Sequence, residues 1–387
     1  MANDLIASMA LAIWLYLIAF RGGFWRAADR DDAALAAGVD IQWPAVTVVI
    51  PARDEADSIG QTVTSLLRQD YPGAFHVVVV DDQSRDGTAD LARGAAVLLG
   101  GSDRLTVVSG EPLAPGWTGK LWAQHQGVDI AGEIEPRPTY LLLTDADITY
   151  APDAVTHLVA RSERDGLVLN SLMAKLRCKS FAERMLVPAF IFFFQMLYPF
   201  AWARNPRRGT AAAAGGCMLV RFDALAAAGG VGAIRGALID DCSLAKLLKR
   251  DGPIAISLTE RVTSIRDYPK VGDIRRMVSR TAYAQLRYSP LLLAGTVLGL
   301  GLTYLAPVAL TFFADGLPQF AGLFAWLLMA LAFRPTLRFY GLSRLWAPLL
   351  PLIAAVYMAF TLDSAYQHAR GRGGMWKGRA QANISEV

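Results

Sequence analysis

The stretch YLLLTDADITY, residues 140–150, decides the fold. An apolar run from Tyr140 to Leu143 leads through Thr144 into two carboxylates, Asp145 and Asp147, with only Ala146 between them. A carboxylate is costly to bury unpaired, so a cation is expected at this strand end. The arrangement recurs along the chain. VTVVI (46–50) runs into PARDE, which brings Asp54 and Glu55. HVVVV (76–80) runs into DDQSRDG, which brings Asp81 and Asp82.

Helical patterns separate these runs. Ile59, Val63, Leu66 and Leu67 recur at helical spacing until Tyr71-Pro72 stops the pattern, and TADLARGAAVLL follows the second strand. LTVV (105–108), YLLL (140–143) and LVLNSL (167–172) continue the series. Strands alternating with helices predict an α/β domain built on a mostly parallel sheet. Sites in such sheets lie at the carboxyl ends of the strands. The acids should therefore converge on one crevice.

Asp145 and Asp147 are spaced to face one hard cation. Mg²⁺ and Mn²⁺ prefer oxygen ligands and are often shared with substrate phosphates. Asp82 is suited to accept a hydrogen bond from a nucleobase N–H or a ribose hydroxyl. An isolated D-x-D is weak evidence, and DDQSRDG by itself reads as a turn around Asp86-Gly87. Their order at successive strand ends carries the argument.

Two further stretches matter. GALIDDCSLAKLLKRDG (236–252) places Asp240 and Asp241 at the start of a helix with Leu244, Leu247 and Leu248 on one face. Acids there stabilise the helix dipole by about 0.3–1 kcal/mol; one is also suited to act as general base toward a hydroxyl. APGWTGKLWAQHQG (114–127) resembles a phosphate loop but breaks the Walker pattern at Ala114 and Leu121. Lys120 is read either as a phosphate partner or as an exposed lysine at a helix start.

Composition points to a membrane. The 387 residues are 53% hydrophobic and only 19% charged. Residues 5–20 carry no charge; 291–313, 317–333 and 345–362 are similar, with Pro318 weakening the start of the third run. A span needs roughly 17–25 apolar residues. A cleaved signal peptide at 5–20 is disfavoured, because no basic stretch precedes it and no A-x-A site follows. Arg21, Arg26 and Arg30 follow the run, so the positive-inside rule places the residues after it in the cytoplasm. Arg334, Arg338 and Arg344 suit a cytoplasmic loop. Arg370, Arg372, Lys377 and Arg379 would fall outside if all four segments crossed, which leaves the number of full crossings open.

MLVPAFIFFFQMLYPFAW (185–202) is apolar and aromatic but interrupted by Pro188, Gln195 and Pro199. It is expected to lie on the bilayer surface, with a membrane span and a plain core helix as the alternatives. IRRMVSRTAYAQLRY (274–288) is basic, suited to snorkelling or to contact with a pyrophosphate leaving group. The three cysteines form no C-x-x-C pair, so neither a disulfide framework nor a zinc site is indicated. The net charge of +4 is assigned to membrane-flanking Lys and Arg, with no dense run for nucleic acid.

The expected organisation is an N-terminal transmembrane anchor (1–21), a juxtamembrane linker (22–44), a catalytic domain (45–285, with 185–202 interfacial) and a C-terminal membrane domain and tail (286–387).

VVIPARDE, VVVVDDQSRDGT, LLLTDADI and the IDD near 240, in that order, resemble the family 2 glycosyltransferases of GT-A fold over about residues 45–285. With GWTGK, the GGCMLV of 215–220, the WKGR of 376–379 and the membrane layout, the chain looks like the hopene-associated glycosyltransferases of bacterial hopanoid synthesis. Ceramide and carotenoid glucosyltransferases look like more distant relatives. The resemblance implies a nucleotide-sugar donor, a UDP-sugar by family habit, a divalent metal, a lipid acceptor and a multi-pass protein of the bacterial inner membrane with a cytoplasmic catalytic domain. It implies that Asp82 contacts the nucleoside, that Asp54, Glu55 and Asp81 line the donor pocket, that Asp147 with Asp145 holds the metal, and that Asp241, preceded by Asp240, is the base. Many members carry Q/R-x-x-R-W near residue 280. Here only Arg280 of that motif is kept, which argues against processive polymer synthesis and makes Arg280 a donor-site candidate beside Lys120. Transfer to a polyprenyl phosphate, or a non-catalytic membrane protein with a nucleotide-binding domain, would share the donor motifs.

Overall fold

The computed structural model describes residues 1–32 and 42–371, with the backbone of two short strands, Met375–Trp376 and Arg379–Ala380. Residues 33–41 of the expected linker, the side chains of the 376–379 motif, and Arg372 and Lys377 of the basic tail lie outside the described residues. The chain divides into two compact units. One comprises Asp29–Arg177, Trp202–Asp267 and Met375–Val387; the other comprises Met1–Ala28, Cys178–Ala201 and Tyr268–Gly374.

The first unit is built on one eight-stranded sheet. Its strands are β1 (Val46–Ala52), β2 (Phe75–Asp81), β3 (Leu105–Ser109), β4 (Tyr140–Leu143), β5 (Ile148–Tyr150), β6 (Leu169–Lys175), β7 (Met218–Arg221) and β8 (Ile254–Ser264). Their order is β3-β2-β1-β4-β7-β6-β8-β5. β1 runs parallel to β2 and β4, with Val48 opposite Val77 and Leu142. β7 is antiparallel to both β4 and β6, while β8 is parallel to β6 and carries β5 antiparallel at the edge. The sheet is mixed and mostly parallel.

The apolar strands explain the layering. All seven residues of β1 are buried, as expected of a parallel strand covered on both faces. Successive side chains point to opposite faces. Val48 and Ile50 join Val63, Leu66 and Leu142 in one core, whereas Val49 joins Leu121, Leu141, Leu143 and Leu244 in the other. Helix Ile59–Leu67 supplies the first core and helices Gly119–Glu133 and Asp240–Leu248 the second. Gly127 sets how closely the 119–133 helix can approach: a Cβ there would meet Val49 Cγ1 at 2.5 Å and Val80 Cγ2 at 3.1 Å.

In the second unit, four helices among the described residues are long and apolar enough to cross a membrane: Ala2–Phe20, Pro290–Phe313, Leu317–Phe339 and Arg344–Ala369. Pro318 does not weaken the third. It sits in the helix's first turn, where its missing N–H has no partner to lose. The same helix continues through Arg334 and Arg338, so these two arginines stand exposed on its last turns rather than in a loop. The aromatic stretch forms helix Phe181–Leu197, opened by a reciprocal cap between Ser180 and Glu183. Phe192 is fully buried between Phe24 and Phe333, and the Tyr357 hydroxyl donates to Leu186 O at 2.8 Å. Packing within the unit thus takes up this face of the helix.

Candidate active site

The loops after β1 and β2 are tied together by their polar residues. Asp54 takes a left-handed backbone, φ 48°. Its N–H donates to Ser84 Oγ at 2.9 Å and its Oδ1 accepts the Arg85 N–H at 2.9 Å. Glu55 N–H donates to Thr88 Oγ1, and Asp81 Oδ1 accepts the Ser84 N–H. Asp82 is buried, its N–H donating to Ala52 O at 2.8 Å. The Arg53 guanidinium donates to the Asp82 carbonyl and lies 3.5 Å from its carboxylate.

The cations demanded by Asp145 and Asp147 come from the chain itself. Lys120 Nζ lies 2.8 Å from Asp145 Oδ1 and 2.9 Å from Asp240 Oδ2. Arg266 places Nε on Asp147 Oδ2 and Nη2 on Glu55 Oε1, the latter at 2.7 Å. Lys120 is therefore neither exposed nor unengaged; its side chain is only 16% accessible. Thr118 positions it by capping the helix, accepting the Leu121 N–H. Burial pulls the Lys120 ammonium down, but Asp145 and Asp240 outweigh it and hold the group above its ordinary value. Burial also pushes the Asp145 carboxyl up, against the pull of Lys120 and with Asp147 adding to the rise.

Asp240 and Asp241 open the Asp240–Leu248 helix, which Leu244, Ala245 and Leu248 anchor in the core. Asp240 turns to Lys120, while Asp241 accepts the Gly215 N–H on Oδ2 at 3.1 Å and the Cys242 N–H on Oδ1 at 2.7 Å. Burial and the neighbouring Asp240 carboxylate push the Asp241 carboxyl up to about 6, only partly countered by Lys120. Gly215 leaves room for this: a Cβ there would lie 3.2 Å from Lys120 Nζ and 3.7 Å from Asp241 Oδ2.

Within this unit the structure gathers Lys120, Asp145, Asp240, Asp241 and Gly215 into one cluster, and joins Glu55 to Asp147 through Arg266. Arg280 belongs to the other unit, exposed at the end of the Val271–Ser279 helix. Arg266 and Arg53 were not singled out from sequence. The demand for a cation beside the paired acids was the signal that could have led to Arg266, which directly follows β8 at Ile265. Among the described residues no disulfide joins the three cysteines.

The donor set can be tested against a divalent metal. Among the described residues no three acid, His or Cys side chains form a metal cage. Two carboxylates in an Asp-x-Asp turn, all oxygen donors, nevertheless fit Mg²⁺ or Mn²⁺ when a diphosphate supplies further oxygens.

A sequence profile described as "Glycosyl transferase family 2" matches residues 47–229. 4,4'-Diaponeurosporenoate glycosyltransferase of Staphylococcus aureus (strain USA300) is 34% identical over 125 residues, covering 32% of this chain and 29% of that protein. The same-named protein of strain MRSA252 is 35% identical over the same length. The match thus spans less than a third of these relatives' length. The solved structure of mannosyltransferase PcManGT from Pyrobaculum calidifontis, in complex with GDP-Man and Mn²⁺, superposes with a TM-score of 0.54 at 19% identity. It covers 92% of this chain and 99% of that one. The fold is GT-A. The match to glycosyltransferase family 2 lies in residues 47–229.

Proposed function

We propose that this protein is a membrane-bound inverting glycosyltransferase that moves a sugar from a nucleotide-diphosphate donor to a lipid hydroxyl. The observation that carries the reading is the joining of the D-x-D turn to the Asp240–Asp241 pair through Lys120. It sets a donor-binding half beside a proton-accepting half. Asp241 takes the proton from the acceptor hydroxyl as its oxygen bonds to the anomeric carbon. The bond from that carbon to the diphosphate breaks in the same step, and the nucleoside diphosphate leaves. Lys120 and Arg266, the cations already on the two acids, are suited to stabilise the departing charge. Asp54, Glu55, Asp81 and Asp82 line the donor pocket. Asp145 and Asp147 would hold the divalent metal, whose chemistry when bound is Lewis-acid stabilisation of the diphosphate.

Four apolar helices and the name of the Staphylococcus aureus relatives support an apolar acceptor. The motif resemblance supports hopanoid-related lipid metabolism, a UDP-sugar and a bacterial inner-membrane location with residues 45–285 on the cytoplasmic side. The test is nucleoside diphosphate release from a panel of sugar nucleotides by detergent-purified protein, with Mn²⁺ or Mg²⁺ and a bacterial lipid extract. Metal-dependent, lipid-stimulated release from one donor, lost in Asp241→Asn and Asp147→Asn, supports the reading. Nucleotide binding without release from any donor supports a non-catalytic role.

A further inference from the structure

The D-x-D turn carries a cation on each acid. Lys120 bridges Asp145 and Asp240; Arg266 bridges Asp147 and Glu55. Each cation thus ties one metal-ligand candidate to a carboxylate on a different segment. Each contact is half-buried: Lys120 is 16% exposed against 35% for Asp145, and Arg266 36% against 12% for both Asp147 and Glu55. Such pairs are screened less than surface pairs. A divalent ion arriving at these acids meets a cation already on each of them and must displace it or sit beside it. That arrangement is strongly repulsive unless an anion arrives to take the displaced charge.

We propose that Lys120 and Arg266 act as internal counter-cations that deny the D-x-D pair to a divalent metal until a nucleoside diphosphate is present. The diphosphate supplies the anionic oxygens to which the two cations turn, and metal and donor therefore enter as one unit. Lys120 and Arg266 are positioning residues in this scheme. Lys120 also spans to Asp240, so the exchange of its partner links donor arrival to the acid preceding the base. The inference rests on the proposed glycosyltransferase reading and adds an order of binding to it.

The experiment is Mn²⁺ titration of the full-length protein in detergent, followed by electron paramagnetic resonance of free Mn²⁺, with and without UDP or GDP. The intact protein is expected to bind Mn²⁺ at least about tenfold more tightly with one of these nucleotides than without. Lys120→Met and Arg266→Met are each expected to tighten nucleotide-free Mn²⁺ binding by about tenfold or more and to shrink the nucleotide effect. Lys120→Arg, which keeps the charge, should retain the intact protein's dependence. The intact protein needs no variant to fold, so its own titration already decides. Equal Mn²⁺ affinity with and without a nucleotide that does bind overturns the inference and leaves the glycosyltransferase reading standing. Unchanged nucleotide-free affinity in both folded methionine variants also overturns it. Failure of UDP and GDP to bind at any Mn²⁺ concentration counts against both.

Discussion

The backbone N–H of Gly215 donates to Asp241 Oδ2 at 3.1 Å. One oxygen of the proposed base is therefore held by a loop whose glycine leaves the Lys120 ammonium its place. The same glycine lies beside Lys120, so a single backbone approach fits the proposed base and the bridging ammonium together.

Gly215→Ala tests that approach. The added carbon would sit 3.2 Å from Lys120 Nζ, tighter than ordinary contact, and 3.7 Å from Asp241 Oδ2. The loop must retreat or the lysine must move. Small misplacements of reacting groups cost up to about a hundredfold in rate. Steady-state transfer is expected to fall by about ten- to a hundredfold, and nucleotide affinity measured by calorimetry should weaken as Lys120 shifts.

Asp241→Asn should remove the general base, a loss of about 10²–10⁴ in transfer rate, with nucleotide binding retained. In the intact protein the transfer rate should fall below a pH of about 6, where burial and Asp240 hold the Asp241 proton. The stability effect has the opposite direction. The folded carboxyl binds its proton more tightly than an ordinary one of 3.8, so its contribution favours folding at low pH and is lost as pH rises to about 6. Unfolding curves of Asp241→Asn across that window should lack this loss.

Gly127→Ala pits two effects against each other. Alanine gains about 1 kcal/mol over glycine in a helix interior. Overpacking costs about 1–3 kcal/mol, and here the new carbon would stand 2.5 Å from Val49 Cγ1. The clash should win, lowering the thermal midpoint. The displaced helix carries Lys120, so nucleotide affinity should weaken as well.

Gly322→Ala makes the corresponding test in the unit of long apolar helices. A Cβ there would meet Leu310 Cβ and Pro307 O, each at 2.8 Å. The carbonyl belongs to backbone and cannot swing aside. A loss of about 1–3 kcal/mol is expected in denaturation followed in micelles. Nucleotide affinity should be unchanged, because Gly322 and the acidic cluster belong to different units.

The placement of the acids at strand ends was legible in the sequence because three successive apolar runs each lead into carboxylates, in order along the chain. The strand pattern around them was legible too: Val46–Ala52 is almost wholly apolar, Thr47 apart, because both of its faces are covered. Their cations were not legible. Arg266 stands 119 residues from Asp147, and no local pattern marks an arginine after a strand as anyone's partner. Lys120 left two readings open, since a helix-start lysine carries the same spacing whether it faces water, phosphate or acid. Arg334 and Arg338 were read as loop residues on charge alone, although a long side chain is tolerated at the end of an apolar helix by reaching outward. Phe192 was read with the aromatic stretch as interfacial, because periodicity does not reveal which neighbours will cover a helix face.

The most direct measurement is transfer of radiolabelled sugar from the sugar nucleotide selected in the release assay into organic-extractable lipid. It uses full-length protein with Mn²⁺, beside Asp241→Asn. The account predicts label in the lipid phase in proportion to nucleoside diphosphate released, and none above background with the variant. Label remaining wholly in the aqueous phase, with folded protein and bound nucleotide, would contradict it.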